Sequence, residues 1–206
     1  HAIRPGQRLE LAAELDTVEA DAASYGGSVL VDGVLAIRLT HCVGPMLVVT
    51  DFDDPDALRA RFGVLCNGGA TPGGFAGIPE FPLERTGGEA GQRIAATLQV
   101  PTQANFFADH FPRRPVFAGT LLMNASLDLA ALLATELSVP ACGARWALRS
   151  VSDVKLRAFT PPGDVLEIEA RLNDLSADAA TVKVDIRKGS RVVGGARVRL
   201  IPEVGA

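Results

Sequence analysis

The chain has 206 residues, 48% of them hydrophobic, which is enough to close a sizeable core in one large domain or two small ones. A formal net charge of −4 argues against nucleic acid as a partner, and no run reaches the roughly 18 apolar residues of a membrane span. The three cysteines, Cys42, Cys66 and Cys142, are odd in number and far apart, and the first residues are polar; the reading is free thiols, no signal peptide and a cytoplasmic location.

In chain order, Arg4-Pro5-Gly6-Gln7 marks a turn, after which Leu9, Leu11, Ala13 and Leu15 alternate with Glu10, Ala12 and Glu14. That period of two predicts a strand with one buried face. Residues 28–31 and 34–39 flank Asp32-Gly33 and predict a hairpin. Residues 46–49 could extend a strand, and residues 55–62 suggest a short helix with Asp54 as its cap. Residues 67–91 are heavy in Gly and Pro and read as a linker. His41 beside Cys42 has no further ligands at metal spacing, so it reads as a sheet-edge histidine.

Residues 94–100 predict another strand. The stretch Asp109-His110-Phe111-Pro112-Arg113-Arg114-Pro115-Val116-Phe117-Ala118-Gly119-Thr120 then leads into a run rich in Leu and Ala. Those residues cost little in a helix, and a helix apolar nearly all round is a buried one, so a central core helix starting near Gly119 is expected. It ends within residues 139–143. Residues 145–157 and 165–172 predict strands, and residues 181–187 and 191–200 a final hairpin. First-turn N–H groups at Gly119 and Thr120 lack intrahelical partners and could meet a carbonyl or oxyanion, while His110 just ahead suits a general base. A histidine that merely packs under the turn is the plainer reading of the residues alone.

The wording of this stretch resembles the signature of the FabA/FabZ-type 3-hydroxyacyl thioester dehydratases. His110, Phe111, Pro112, Pro115, Gly119 and Leu121-Leu122 match it; Asp109 and Arg113 stand where that family usually has glycine, and Ala118 where it has proline. The likeness continues through Asp153-Val154-Lys155-Leu156-Arg157-Ala158-Phe159 and Pro161-Pro162-Gly163-Asp164-Val165-Leu166. It implies an α+β hot dog fold, an antiparallel sheet wrapped around one central helix. It also implies dehydration of a 3-hydroxyacyl thioester, linked to acyl carrier protein or CoA, in fatty acid or polyketide-type biosynthesis. In those enzymes two hot dog units share each site, as a dimer or pseudo-dimer, and no metal or redox cofactor is needed. His110 would be the base and Gly119 the donor to the thioester carbonyl. Phe111, Pro115, Val116, Phe117 and Thr120 would contact substrate, with Phe106 and Phe107 as further candidates for the wall of an acyl tunnel. The family's catalytic acid lies fourteen residues after the histidine, where this chain has Asn124. An amide neither donates nor takes a proton as a carboxyl does. Asp128, one turn on, lies about 6 Å further along the helix. Asn124 therefore marks a dead site, a replacement of the acid, or a site whose acid comes from elsewhere, such as the central helix of another hot dog unit.

An internal repeat sharpens the domain reading. Pro5-Gly6, Leu9-Glu10-Leu11 and Leu15 match Pro162-Gly163, Leu166-Glu167-Ile168 and Leu172, each 157 residues later, and Ala36-Ile37-Arg38-Leu39 resembles Arg197-Val198-Arg199-Leu200 after a four-residue slip. The expectation is that residues 1–50 are the back half of a first hot dog unit whose front half is absent, 51–91 a linker with a short helix, and 92–206 a complete hot dog domain. Arg113, Arg114, Arg145, Arg149, Lys155 and Arg157 could attract an acidic carrier or a CoA phosphate. Two other functions remain open: a hot dog thioesterase and a non-catalytic partner subunit.

Overall fold

The computed structural model describes residues 3, 6–69, 80–139 and 144–204. Residues 140–143 and 70–79, the latter inside the expected linker, lie outside them; the central helix, expected to end within residues 139–143, already ends at Thr135. The chain divides into two compact units, His1–Pro55 and Asp56–Ala206.

The first unit is an antiparallel meander of β1 (Leu9–Val18), β2 (Ala22–Val31) and β3 (Val34–Pro45). The Asp32-Gly33 turn joins β2 to β3 with both residues at positive φ, 50° and 80°, as a two-residue hairpin of this hand requires. His41 sits on β3 at φ 52°. The strand expected over residues 46–49 does not form. Met46 makes the last meander bond, to the Asp21 carbonyl, and residues Val49–Asp51 turn into a 3₁₀ helix as acidic residues of low strand preference take over.

The second unit holds α1 (Pro55–Asn67), β4 (Leu83–Glu89), β5 (Arg93–Gln99), α2 (Gly119–Thr135), β6 (Ala144–Leu156), β7 (Val165–Leu175), β8 (Ala180–Lys188) and β9 (Arg191–Val204). Its six-stranded sheet runs β4-β5-β7-β8-β9-β6, with all neighbours antiparallel. α2 lies against β5 to β9, most heavily on β7. Leu122, Leu129, Leu133, Ile94, Leu98, Leu166, Ile168, Val182, Val184, Ile186 and Val198 close one core between helix and sheet. Each such Leu or Ile stabilises by about 1.5–3 kcal/mol through burial. This is the α+β hot dog arrangement. Trp146, on β6, packs partly against that core and donates its ring N–H to the Ser138 carbonyl at 3.2 Å.

Three expectations need correction. The 67–91 stretch contains β4, so the sheet takes a strand from ahead of residue 92. β4 is an edge strand with an exposed, polar sequence and a register shift between Arg85 and Gly87, which leaves no apolar alternation to read. α1 runs five residues past 62: Gly63 is accommodated, the Asn67 amide donates back to its carbonyl at 2.8 Å, and Gly69 at φ 70° ends the helix by donating to Val64. α2 is not buried all round. Leu122, Ala125, Ser126, Leu129, Ala130, Leu133 and Ala134 face the sheet, while Thr120, Asn124, Asp128, Ala131, Leu132 and Thr135 are exposed. The alanines and threonines on that side tolerate either environment.

The two meanders share one plan. A shift of 157 carries the pair Glu10↔Leu30 onto Glu167↔Arg187, Thr17↔Ser24 onto Asp174↔Thr181, Val31↔Val34 onto Lys188↔Arg191, and Val29↔Ile37 onto Ile186↔Gly194. The register shifts at Leu15/Thr17 and Val29/Leu30 recur at Leu172/Asp174 and Ile186/Arg187. Gly6 and Gly163, just ahead of the two first strands, adopt φ 87° and 83°. No four-residue slip is needed, since the strands place residues 36–39 on 193–196. One irregularity is peculiar to the first meander, between Tyr25 and Gly27.

Candidate functional site

The His110 loop is built from backbone bonds. A 3₁₀ turn, Asn105–Ala108, follows β5, and the His110 N–H donates to the Phe106 carbonyl at 2.8 Å. The chain reverses over Pro112 and Arg113, where the Arg114 N–H donates to Phe111. It then returns so that Val116 N–H donates to the His110 carbonyl at 2.9 Å. Phe117 N–H donates to the carbonyl of buried Thr160 at 2.7 Å, fixing the loop to the segment ahead of β7. Four aromatic rings pack beneath. Phe81 and Phe117 meet edge-on at 5.1 Å, with Phe106 within 6.1 Å of both and Phe107 beside Phe106. Phe107 and Phe117 belong to the core cluster, and Phe81 and Phe106 pack against it. Phe111 instead stacks on the His110 ring, 4.5 Å between centroids; the peptide joining them is cis.

The imidazole has a defined tautomer. Its Nδ1 lies 2.9 Å from the Val116 carbonyl oxygen, and a carbonyl can only accept. Nδ1 is therefore the donor, so that in the neutral ring it is Nε2 that has the lone pair a base needs. The ring is half-buried. Gly119 opens α2 and Ala118 provides no side-chain cap; the Leu121 and Leu122 N–H groups donate to the Ala118 carbonyl at 3.0 and 3.1 Å, which leaves those of Gly119 and Thr120 without a helical or capping acceptor. A Cβ on Gly119 would come within 2.5 Å of Leu156 Cδ1, the movable end of a half-exposed side chain, so the glycine eases a close approach of β6.

Asn124 is exposed on α2, and its amide donates to Asp128 at 2.9 Å. With Thr120 these two side chains form a polar stripe at helical spacing on the face away from the sheet. Val116 and Phe117 are buried, and His110, Phe111, Pro115 and Gly119 half-buried, so the residues most open to solvent here are Asp109, Pro112, Arg113 and Arg114 of the loop and Thr120 of α2. The Val116 carbonyl as orienting partner, the Thr160 anchor and the Phe81 ring were missed in the sequence. A backbone acceptor leaves no trace in residue identity, and Phe81 lay in the supposed linker. Arg61 of α1 reaches Asp109, next to the histidine, at 2.9 Å, and the Arg114 guanidinium lies 5.3 Å from the Phe159 ring.

A groove of about 200 Å³ on the sheet is lined by Lys155, Arg157, Lys183, Arg197, Asp153 and Asp185 over a Gly194-Gly195 floor, and by no residue of the His110 loop. Lys183 pairs with Asp185 at 2.8 Å and Arg197 with Asp153 at 3.2 Å, which leaves an excess of positive charge from Lys155 and Arg157. Elsewhere, Glu136 at the end of α2 accepts from the Gly91 N–H at 3.0 Å and from Arg85 at 3.1 Å. The Gly91 bond foremost, then Arg85, hold its carboxyl below the usual carboxylate range against some desolvation. No helix among the described residues is long and apolar enough to cross a membrane.

Comparison with known proteins agrees with this geometry. The model of the ApeI-like family, described as ApeI dehydratase, matches residues 86–196, all within the second unit. The 3-hydroxyacyl-[acyl-carrier-protein] dehydratase FabZ of Lactiplantibacillus plantarum is 30% identical over 101 residues, which cover 49% of this chain and 68% of that protein. FabZ of Pediococcus pentosaceus is 30% identical over 113 residues, covering 55% and 75%. Among solved structures, a hypothetical thioesterase protein from Streptococcus pneumoniae is similar at a TM-score of 0.50 and 16% identity, over 64% of this chain and 98% of that one. At such identity the likeness bears on the fold alone. The family match spans more than half of the chain and takes in the His110 loop, α2, the whole of β5, β6, β7 and β8 and parts of β4 and β9, so this chain belongs to the ApeI-like family, a relative of FabZ with the hot dog fold.

Proposed function

We propose that the chain dehydrates a 3-hydroxyacyl thioester, carried on acyl carrier protein or CoA, to the trans-2-enoyl thioester and water. The observation that carries this reading is the Nδ1 bond from His110 to the Val116 carbonyl, which holds a free Nε2 lone pair on a loop running directly into the uncapped end of α2. His110 Nε2 removes the proton from C2 of the substrate. The Gly119 N–H donates to the thioester carbonyl oxygen as negative charge develops there. The C3–O bond then breaks, the electron pair forms the C2–C3 double bond, and the 3-hydroxyl leaves as water with a proton from an acid. Asn124 cannot supply that proton. A carboxylic acid on the central helix of a second hot dog unit would do so, which makes the working site a shared one. Phe111, Pro115 and Thr120 line the approach, with buried Val116 and Phe117 beneath it. Lys155 and Arg157 give the sheet groove a charge suited to an acidic carrier or a CoA phosphate.

The Asn124–Asp128 bond favours a second reading, a thioesterase in which the held carboxylate orients a water. The products separate the two. Dehydration gives a thioester lighter by one water and no free thiol; hydrolysis gives free acid and thiol. Mass spectrometry on 3-hydroxyacyl thioesters of several lengths is the test. His110→Asn keeps a donor for the Val116 carbonyl but removes the base, and is expected to lower dehydration by about 10²-fold or more with the fold intact. Enoyl product formed equally well by that variant would exclude the assigned base. Absence of enoyl product at every chain length would leave a thioesterase or a non-catalytic partner.

A further inference from the structure

The family match stops short of the first unit, yet the first unit repeats the last three strands of the second, strand for strand and with two register shifts in common, the Tyr25–Gly27 irregularity being its own. The repeat also predicts which face of the first meander belongs inside. On β7 the side chains under α2 are Leu166, Ile168, Ala170 and Leu172; their counterparts on β1 are Leu9, Leu11, Ala13 and Leu15. On β8 buried Ala180, Val182 and Ile186 correspond to Ala23, Tyr25 and Val29 of β2. On β9 buried Val193 and Ala196 correspond to Ala36 and Leu39 of β3. The opposite faces agree as well, since Glu10 matches Glu167 and Glu14 matches Arg171. At these positions the inner face is apolar in both units and exposed in the first; buried Val184 has Gly27 as its counterpart, and Val198 and Leu200 lie past the Tyr25–Gly27 irregularity. Leu11 is 74% exposed and Leu15 71%, where Ile168 is fully buried.

We infer that residues 9–45 are the closing strands of a second hot dog unit, and that their Leu9–Leu11–Leu15 face seats a central helix of the α2 kind. Such a helix is apolar on one side, with small residues where Ala13 and Gly27 leave room. α2 begins at residue 119, less than one repeat length of 157 from the first residue, so the repeat assigns this face a helix that is not among the 206 residues. Three observations favour a helix over a second sheet as occupant. Ala13 is the same small residue as Ala170, which packs in the core with α2. Both first strands follow a glycine at nearly the same positive φ, so the chain enters both meanders the same way. The shared register shifts give the two sheets the same local twist. The inference does not depend on the dehydratase reading, since it rests on no residue of the His110 loop.

The repeat supplies the probe. A second copy of residues 80–163, joined directly ahead of Gln7, carries β4, β5, α2 and β6 into the position the repeat assigns. Hydrogen exchange with mass spectrometry is then followed on peptides from β1 to β3, in the 206-residue chain and in the extended one. The expected result is at least a ten-fold slowing of exchange across β1–β3 on extension. Leu11→Glu should abolish that slowing, and Glu10→Gln, on the other face, should retain it. Unchanged exchange on extension overturns the inference, as does slowing that survives Leu11→Glu. In the unextended chain Leu11→Glu should leave exchange unchanged. If it speeds exchange there, or if β1–β3 are already protected at high concentration and lose protection on dilution, the face is occupied by another copy of this chain and the inference fails.

Discussion

The two meanders are the same backbone in two circumstances. Strands β7–β9 and β1–β3 share two register shifts and, up to the Tyr25–Gly27 irregularity that only the first meander has, the same registers, and each links its last two strands by a two-residue turn. One lies under α2 and contributes Ile168, Val182 and Val198 to a closed core; the other presents Leu11, Leu15 and Val43 to solvent. Strand pairing and turn chemistry are therefore set locally, whereas burial is a property of what lies on top. Three strands with an uncovered apolar face fall near the lower limit of independent stability, and a sheet closed by a helix stands well above it.

The sharpest way to break that comparison is to truncate equivalent residues. Ile168→Ala is expected to cost about 2–5 kcal/mol, the range for a large-to-small change in a closed core, while Leu11→Ala changes stability by about 0.5 kcal/mol or less. Denaturant titration of both variants measures the contrast, and equal costs would mean that the first meander is covered after all. A smaller effect is expected at the turns. Gly189 has φ 56° with open space around its Cβ position, so Gly189→Ala costs about 1–2 kcal/mol from backbone strain alone. Gly33→Ala, in the matching turn at φ 80°, should loosen only the β2–β3 hairpin and leave the melting of the second unit in place.

The smallest effect is electrostatic and confined to the covered unit. Glu136 is held below the usual carboxylate range first by the Gly91 N–H and then by Arg85. A carboxyl depressed on folding contributes stability above its unfolded-state pKa, and that contribution is lost as pH falls through the folded value. Thermal melts at descending pH should therefore show an acid loss that Glu136→Gln reduces, with an amplitude below that of Gly189→Ala. An unchanged acid profile in the variant would exclude the Gly91–Glu136 bond as its source.

The residues made some of this legible and hid the rest for physical reasons. Alternating Leu9, Leu11, Ala13 and Leu15, the Asp32-Gly33 turn and the Leu- and Ala-rich run after Gly119 announced their elements, because side-chain periodicity and turn chemistry are local. His110 stood out through its Phe-Pro neighbours and its distance from Gly119. β4 stayed hidden because an exposed edge strand needs no apolar alternation, and Gly87-Gly88 imitates a linker. The open side of α2 was hidden by Ala131, Leu132 and Thr135, whose types do not separate buried from exposed. The Val116 carbonyl that fixes the His110 tautomer could not be read at all, since every residue carries the same carbonyl.

Trp146 and Tyr25 are the chain's single tryptophan and single tyrosine, and they fall on different units. Trp146 sits on β6 of the covered sheet, tied to Ser138, and Tyr25 on β2 of the open meander at a position whose counterpart, Val182, is buried. Indole emission thus reports one unit and phenol absorbance the other. A single unlabelled sample carries its own two-channel spectroscopic record of whether the halves melt together or one after the other.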